Sequence, residues 1–168
     1  MAASKRDIET HIPALRRFAY GLTGDRDEGD DLVQDALERA LSRWHLFIPG
    51  RKLRPWLFKI LYNLFVSARR KDSRRAQHVP LEPEKGMPAI AAGQEHAADA
   101  GKMLRLLDTL PEDQRSTVLL VVVEGFSYEE TARISGVPMG TVMSRLHRGR
   151  QQLRTLAGES PPAIRRVK

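Results

Sequence analysis

The chain has 168 residues, room for one ordinary domain or two small ones and too little for most multi-layered enzymes. Lys and Arg number 28 against 21 Asp and Glu, a net charge of +7 that favours polyanionic partners. The lack of cysteine excludes disulfide frameworks, thiolate catalysis and cysteine-containing zinc sites. The longest apolar run, residues 118–123, is far shorter than the roughly 20 residues of a membrane helix, and the first residues form no apolar signal core, so a soluble, cytoplasmic protein is expected.

Taken in chain order, Ile8, Ile12, Leu15, Ala19 and Leu22 fall on one helical face. Pro13 must start or kink that helix, and Gly24 stops it. Asp25 followed by Glu28 announces a second helix through an acidic capping box, a cap worth about 1 kcal/mol. Its apolar stripe is Leu32 or Val33, Ala36, Leu37, Ala40, Leu41 and Trp44. On the opposite side Asp31, Asp35, Glu38 and Ser42 form an acidic ridge in an otherwise basic chain. A solvated helix face is the commoner meaning of such a ridge.

The loop over residues 45–54 puts three apolar residues, Leu46, Phe47 and Ile48, before Pro49, Gly50, Arg51, Lys52 and Arg54. Pro55 is placed at the start of a third helix, whose buried face reads Trp56, Leu57, Ile60, Leu61, Leu64, Phe65 and Ala68. Lys59, Asn63 and Arg70 share another face, and Arg69, Arg70, Lys71, Arg74 and Arg75 end the helix. Across residues 51–75, Asp72 is the single acid among nine basic side chains. Residues 76–101 then concentrate proline and glycine and predict a linker between two domains.

Beyond it, Pro111, Glu112 and Asp113 suit the first turn of a helix that Gly125 ends. The run 118–123 pulls toward strand, but its flanking signals decide for helix. Ser127 with Glu130 forms a capping box, a short helix over 128–135 ends at Gly136, and Val137-Pro138 turns the chain. A last helix carries Val142, Leu146, Gly149, Leu153 and Leu156 on one face. Two helices around a glycine-containing turn are a helix-turn-helix arrangement, with Thr141, Ser144, Arg145 and Arg148 offered to a DNA major groove.

The loop and third helix suit a single strand whose bases have left the stack, with Asn63 reading a base edge beside Lys59. The competing readings are a loop folded back on the core and a plain surface asparagine. No enzymatic constellation emerges: the five histidines lack metal-ligand spacing, no phosphate-cradling glycine loop or nucleophile elbow occurs, and Asp30, Asp31 and Asp35 lack companion ligands. Neither a catalytic residue, a metal nor a cofactor is expected.

Two motif sets carry a family resemblance. The first is Asp30-Asp31-Leu32-Val33-Gln34-Asp35 with Trp44 downstream, then Trp56-Leu57-Phe58-Lys59-Ile60-Leu61-Tyr62-Asn63. The second is Leu110-Pro111, then Glu124-Gly125-Phe126-Ser127-Tyr128-Glu129-Glu130, then the segment 136–146. In this order and with a linker between, they cover residues 10–157, and the chain resembles the extracytoplasmic-function (ECF) sigma factors of the bacterial sigma-70 family.

The resemblance implies an all-α fold of two small helical domains joined by a flexible linker: a sigma-2-like domain over 1–75, a linker over 76–101, a sigma-4-like helix-turn-helix domain over 102–158 and a disordered tail over 159–168. It implies that Asp31, Gln34, Asp35 and Glu38 dock on core RNA polymerase. Arg51, Lys52, Arg54, Lys59, Asn63, Arg69 and Arg70 would contact the minus-ten element of promoter DNA. Thr141, Ser144, Arg145 and Arg148 would contact the minus-thirty-five element, with Ser144 and Arg148 at bases and Arg145 at phosphate. Met143 stands where many relatives carry arginine, so the resemblance assigns neither a contact from that position nor the promoter sequence preferred. An anti-sigma factor is the family's usual regulator, and a stress-response regulon goes with it.

A 26-residue flexible linker spans roughly 26 to 31 Å on average and about 86 Å at full stretch, so the two domains are expected to move independently when free. Three rivals leave features unexplained. A stand-alone helix-turn-helix regulator does not need the acidic ridge. A decoy that sequesters an anti-sigma protein usually carries a receiver domain as well. A helical nucleic-acid enzyme lacks a metal constellation.

Overall fold

A computed structural model describes residues 4–76 and 94–158. Residues 77–93 of the expected linker and 159–168 of the expected tail lie outside the described residues. Within them the chain is all α-helical, with no strand: α1 (Asp7–Thr23), α2 (Arg26–Ser42), α3 (Leu53–Ala76), α4 (Gln94–Asp108), α5 (Glu112–Val118), α6 (Tyr128–Ser135) and α7 (Met139–Leu156).

Local chemistry accounts for most boundaries. Gly24 takes the left-handed conformation at φ 69° and its N–H bonds the Tyr20 carbonyl, closing α1. Asp25 caps α2 by accepting the Glu28 N–H at 2.8 Å. The reciprocal half of that box is not made: the Asp25 N–H donates to Thr23 Oγ1 at 3.3 Å, and the Glu28 carboxylate lies 3.5 Å from Arg69 on α3. Pro13 sits inside α1 on its exposed side. Helix α3 begins two residues before Pro55, which occupies the first turn, where a missing N–H costs nothing.

Three elements differ from the sequence reading. Helix α4 begins at Gln94, inside the segment read as linker, and carries Leu107 into the core. The helix read as continuous from Pro111 to Gly125 changes winding at Leu119: residues Leu119–Val123 form a π-helical turn, in which the Glu124 N–H bonds the Leu119 carbonyl at 2.9 Å. That turn leaves Val122 and Val123 exposed while Leu119 and Leu120 are buried. Leu41, assigned to the buried stripe of α2, is 47% exposed.

The largest difference concerns the domains. The two halves are packed together, with one connected apolar cluster running through both. Leu15, Phe18 and Leu22 of α1, Ala36 and Ala40 of α2, and Leu57, Phe58 and Leu61 of α3 build the first part. Val118 of α5, Leu119 and Leu120 of the π turn, Ile134 of α6 and Leu146 of α7 continue it. Phe58 bridges the parts, its ring centroid 5.2 Å from Phe18 and 4.9 Å from Phe126. Gly21 allows close approach at the seam, since a Cβ there would lie 2.7 Å from a Leu119 methyl, which would have to shift.

Candidate nucleic-acid interface and acidic docking ridge

The ridge of α2 is built as its spacing predicts: Asp31, Gln34, Asp35, Glu38 and Ser42 are all exposed. Gln34 donates to Glu38 at 3.3 Å, and among the described residues Asp31, Asp35 and Glu38 enter no ion pair. Leu41 follows Glu38 by three residues and extends the Gln34–Glu38 strip, adding an apolar contact that the sequence pattern had assigned to the core. Unpaired like charges beside an exposed leucine form a surface suited to a basic partner.

The loop before α3 is held by an aromatic triad. Trp44 stacks on Phe47 with centroids 5.2 Å apart, and Trp56 meets both at 6.1 and 5.2 Å. Phe47 is thereby buried, as the folded-back reading expects, whereas Leu46 and Ile48 on either side point outward at 59% and 53% exposure. These two and Trp56 line a groove of about 690 Å³ together with Arg51, Lys52 and Lys59 and, from α6, Glu130 and Arg133. Asn63 lies one turn beyond Lys59 and is exposed, as is Arg70. Apolar side chains interleaved with four cations suit stacked bases tethered by phosphates.

Three of the seven residues read as minus-ten contacts are otherwise engaged. Arg54 lies over the Phe126 ring at 4.3 Å and the Phe58 ring at 5.1 Å, and its Nη2 bonds both a carboxylate oxygen and the carbonyl of Glu124 at 2.8 Å. Arg17 grips the same carboxylate through Nε and Nη2, both at 2.8 Å. The Glu124 side chain has no exposed surface, and this forked pairing holds the Arg17 guanidinium above its usual pKa. Arg69 pairs with Glu112 at 3.2 Å, and Lys52 with Glu130 at 3.0 Å. Neither Arg17 nor Glu124 was legible as a pair, since 107 residues separate them.

In the helix-turn-helix, Ser127 accepts the Glu130 N–H at 3.1 Å and the Glu130 carboxylate accepts the Ser127 N–H at 3.1 Å, completing the capping box. Gly136 ends α6 in the left-handed conformation at φ 68°. On α7, Arg148 is exposed and among the described residues enters no ion pair, while Arg145 is held by Asp113 at 3.2 Å. Ser144 donates to the Thr141 carbonyl at 3.0 Å, and both are half-buried. Met143 is 50% exposed between them.

Two shifted groups, His11 in the N-terminal half and Glu130 paired with Lys52 across the seam, make stability depend on pH. Burial, then Arg54, holds His11 below its ordinary 6.5, with Asp7 opposing. The unfolded chain therefore binds that proton more readily, and stability falls as pH drops below about 6.5. Lys52, then the Ser127 N–H, holds Glu130 below its ordinary 4.5, so its contribution is present above 4.5 and is lost as pH falls through the lower folded value. We expect the melting midpoint to fall between about pH 7.5 and about pH 5.5, and His11→Asn to flatten that fall. Scanning calorimetry of both proteins at the two pH values checks this.

A pair of helical modules, one bearing an acidic ridge and a basic groove and the other a helix-turn-helix, defines the class of DNA-directed proteins. Residues 8–62 match the family model described as the sigma2 domain of PhyR, and residues 100–153 match sigma-70 region 4. The chain is 42% identical over 150 residues to the ECF RNA polymerase sigma factor EcfG of Rhodopseudomonas palustris, covering 89% of this chain and 82% of that one. The sigma factor RpoE of Bartonella quintana, solved with the anti-sigma factor NepR, superposes with a TM-score of 0.78 at 36% identity over 94% of this chain and 98% of that one. The anti-anti-sigma factor PhyR of the same organism, at 21% identity and a TM-score of 0.59, covers 89% of this chain and 48% of its own and shares the fold. The chain belongs to the ECF RNA polymerase sigma factors. No helix among the described residues is long and apolar enough to cross a membrane.

Proposed function

We propose that this chain is a non-enzymatic, cytoplasmic initiation factor that binds core RNA polymerase and directs it to promoters of a stress-response regulon. The domains are those of the sequence reading, 1–75 and 102–158, with helix α4 extending the second toward residue 94. Asp31, Gln34, Asp35 and Glu38, with Leu41, dock on polymerase. Arg51, Lys52, Lys59, Asn63 and Arg70 receive the opened minus-ten strand, joined by Arg54 and Arg69 once the seam parts. Arg148 reads a base of the minus-thirty-five element, and Thr141, Ser144 and Arg145 lie beside it.

The observation that carries this reading is the exposed, unpaired acidic ridge in a chain of net charge +7, a feature DNA binding alone does not need. An anti-sigma protein is the proposed regulator, supported by the complex of NepR with the 36% identical RpoE. Co-purification of the full chain with sigma-free core enzyme tests the reading. A decoy that captures an anti-sigma protein, a reading favoured by the match of residues 8–62 to the PhyR model, predicts no polymerase binding.

Arg148→Ala should weaken binding to the cognate upstream element by about 1–3 kcal/mol and relax preference at one base position. Gel-shift titration on single-base variants of that element measures both.

A further inference from the structure

We infer that Met143, with Met139 one turn before it, gives the upstream element a thymine preference by closing on thymine 5-methyl groups in the DNA major groove. The inference rests on the reading of α7 as the helix that enters that groove, and it adds the class of base that its first two turns select.

The surface of α7 carries it. Val142, Leu146 and Gly149 face the core, while Met139, Met143 and His147, spaced by four, run as a stripe along the exposed side. Met139 is 47% exposed and Met143 50%, and both lie in the N-terminal half of the helix, where helix-turn-helix proteins touch base edges. Single exposed apolar side chains are ordinary on a protein surface. Here two of them sit one turn apart on a helix without an acidic residue, facing where a duplex would lie. The polar side chains beside them are engaged: the Ser144 hydroxyl donates to the Thr141 carbonyl at 3.0 Å, and Arg145 is held by Asp113 at 3.2 Å. Gly140 lies on the same exposed side, and a Cβ there would meet no atom within 4 Å. The protein's own packing does not demand that glycine, and its bare backbone lets a base pair come close.

The chemistry of the groove then selects the base. Every base pair presents hydrogen-bonding atoms there, but the 5-methyl of thymine is the apolar group among them. A thioether is at best a weak acceptor, so it gains little from a polar edge, whereas its flexible, polarisable chain fits a methyl. Arg150 and Arg154, exposed further along α7, supply attraction to phosphate that carries no sequence information. Met143 thus adds a thymine to the base that Arg148 reads.

The test first selects sites for the full chain from duplexes with a randomised block of about eight base pairs. Fluorescence anisotropy then measures affinity for the selected duplex with its thymidines replaced one at a time by deoxyuridine, which lacks only the methyl. At the contacted thymine the unaltered chain should bind about fourfold more weakly after replacement, the factor that corresponds to roughly 0.8 kcal/mol for one buried methyl. Met143→Ala should bind the thymidine duplex about fourfold more weakly and no longer distinguish the two. Met143→Leu, apolar and of similar volume, should keep the distinction. Because Met143 lies outside the core, both variants should melt with the unaltered chain. Arg148→Ala should weaken binding to both duplexes and leave their ratio unchanged.

Equal affinity of the unaltered chain for every replacement overturns the proposal. So does a ratio that Met143→Ala leaves intact, or a selected site without an A·T pair. With Arg148→Ala still weakened, each of these removes the methyl contact alone. If Arg148→Ala and Met143→Ala both bind as the unaltered chain does, α7 is not the reading helix, and the underlying reading fails with the proposal.

Discussion

Reversing two charges on the ridge, Asp31→Lys with Asp35→Lys, is expected to weaken binding to core polymerase by about two orders of magnitude or more. Both side chains are exposed, and among the described residues neither enters an ion pair, so the native fold loses nothing when they change. Folding stability should move by less than about 0.5 kcal/mol. A basic partner surface, by contrast, would face two like charges, which costs several kcal/mol. Fluorescence titration of labelled protein with core enzyme measures the affinity, and urea melts measure the stability. Equal affinity in the variant would leave the ridge as a solvated face.

Phe58→Ala is expected to remove about 3–5 kcal/mol of stability, a large share of the about 5–15 kcal/mol that holds a typical domain. Phe58 is fully buried, packs edge-on against Phe126, tilts against Phe18 and lies under the Arg54 guanidinium. Its loss therefore opens a cavity at the aromatic bridge between the halves and removes one of the two rings stacked on Arg54. Because the aromatic contacts add about 0.5–1.5 kcal/mol beyond area burial, Phe58→Leu should recover much but not all of the loss. Denaturant titration followed by far-ultraviolet circular dichroism compares the three proteins.

The legible part of this molecule is local. Steps of three and four expose the faces of α1, α2, α3 and α7, and Ser127 with Glu130 and Gly136 mark α6 to the residue. The same patterns located the acidic ridge, the basic loop and Arg148, because each is a property of one helix or one turn. What escaped depends on partners distant in sequence. Arg54 reads as a nucleic-acid contact from its neighbours Arg51 and Lys52; that it meets Glu124 follows from a seam joining residues 70 apart. Phe126 reads as an apolar residue in a turn until Phe58 is placed against it.

Two further elements escaped for chemical reasons. Residues 118–123 are apolar on every face, so periodicity has no phase with which to distinguish strand, α-helix and π turn. Helix α4 starts amid glycine and proline, and its core contribution is a few leucines near its end, such as Leu107. Leu41 sits at the margin of the α2 stripe, where a step of one residue separates core from solvent.

The central claim is that these two modules, mounted on polymerase, select where transcription begins. Run-off transcription with sigma-free core enzyme, the purified chain and a genomic fragment library measures it directly. Discrete transcripts that appear only when the chain is added, and that share upstream and minus-ten sequence elements at their starts, are the predicted result. Transcripts no more specific or abundant than those of core enzyme alone would contradict it.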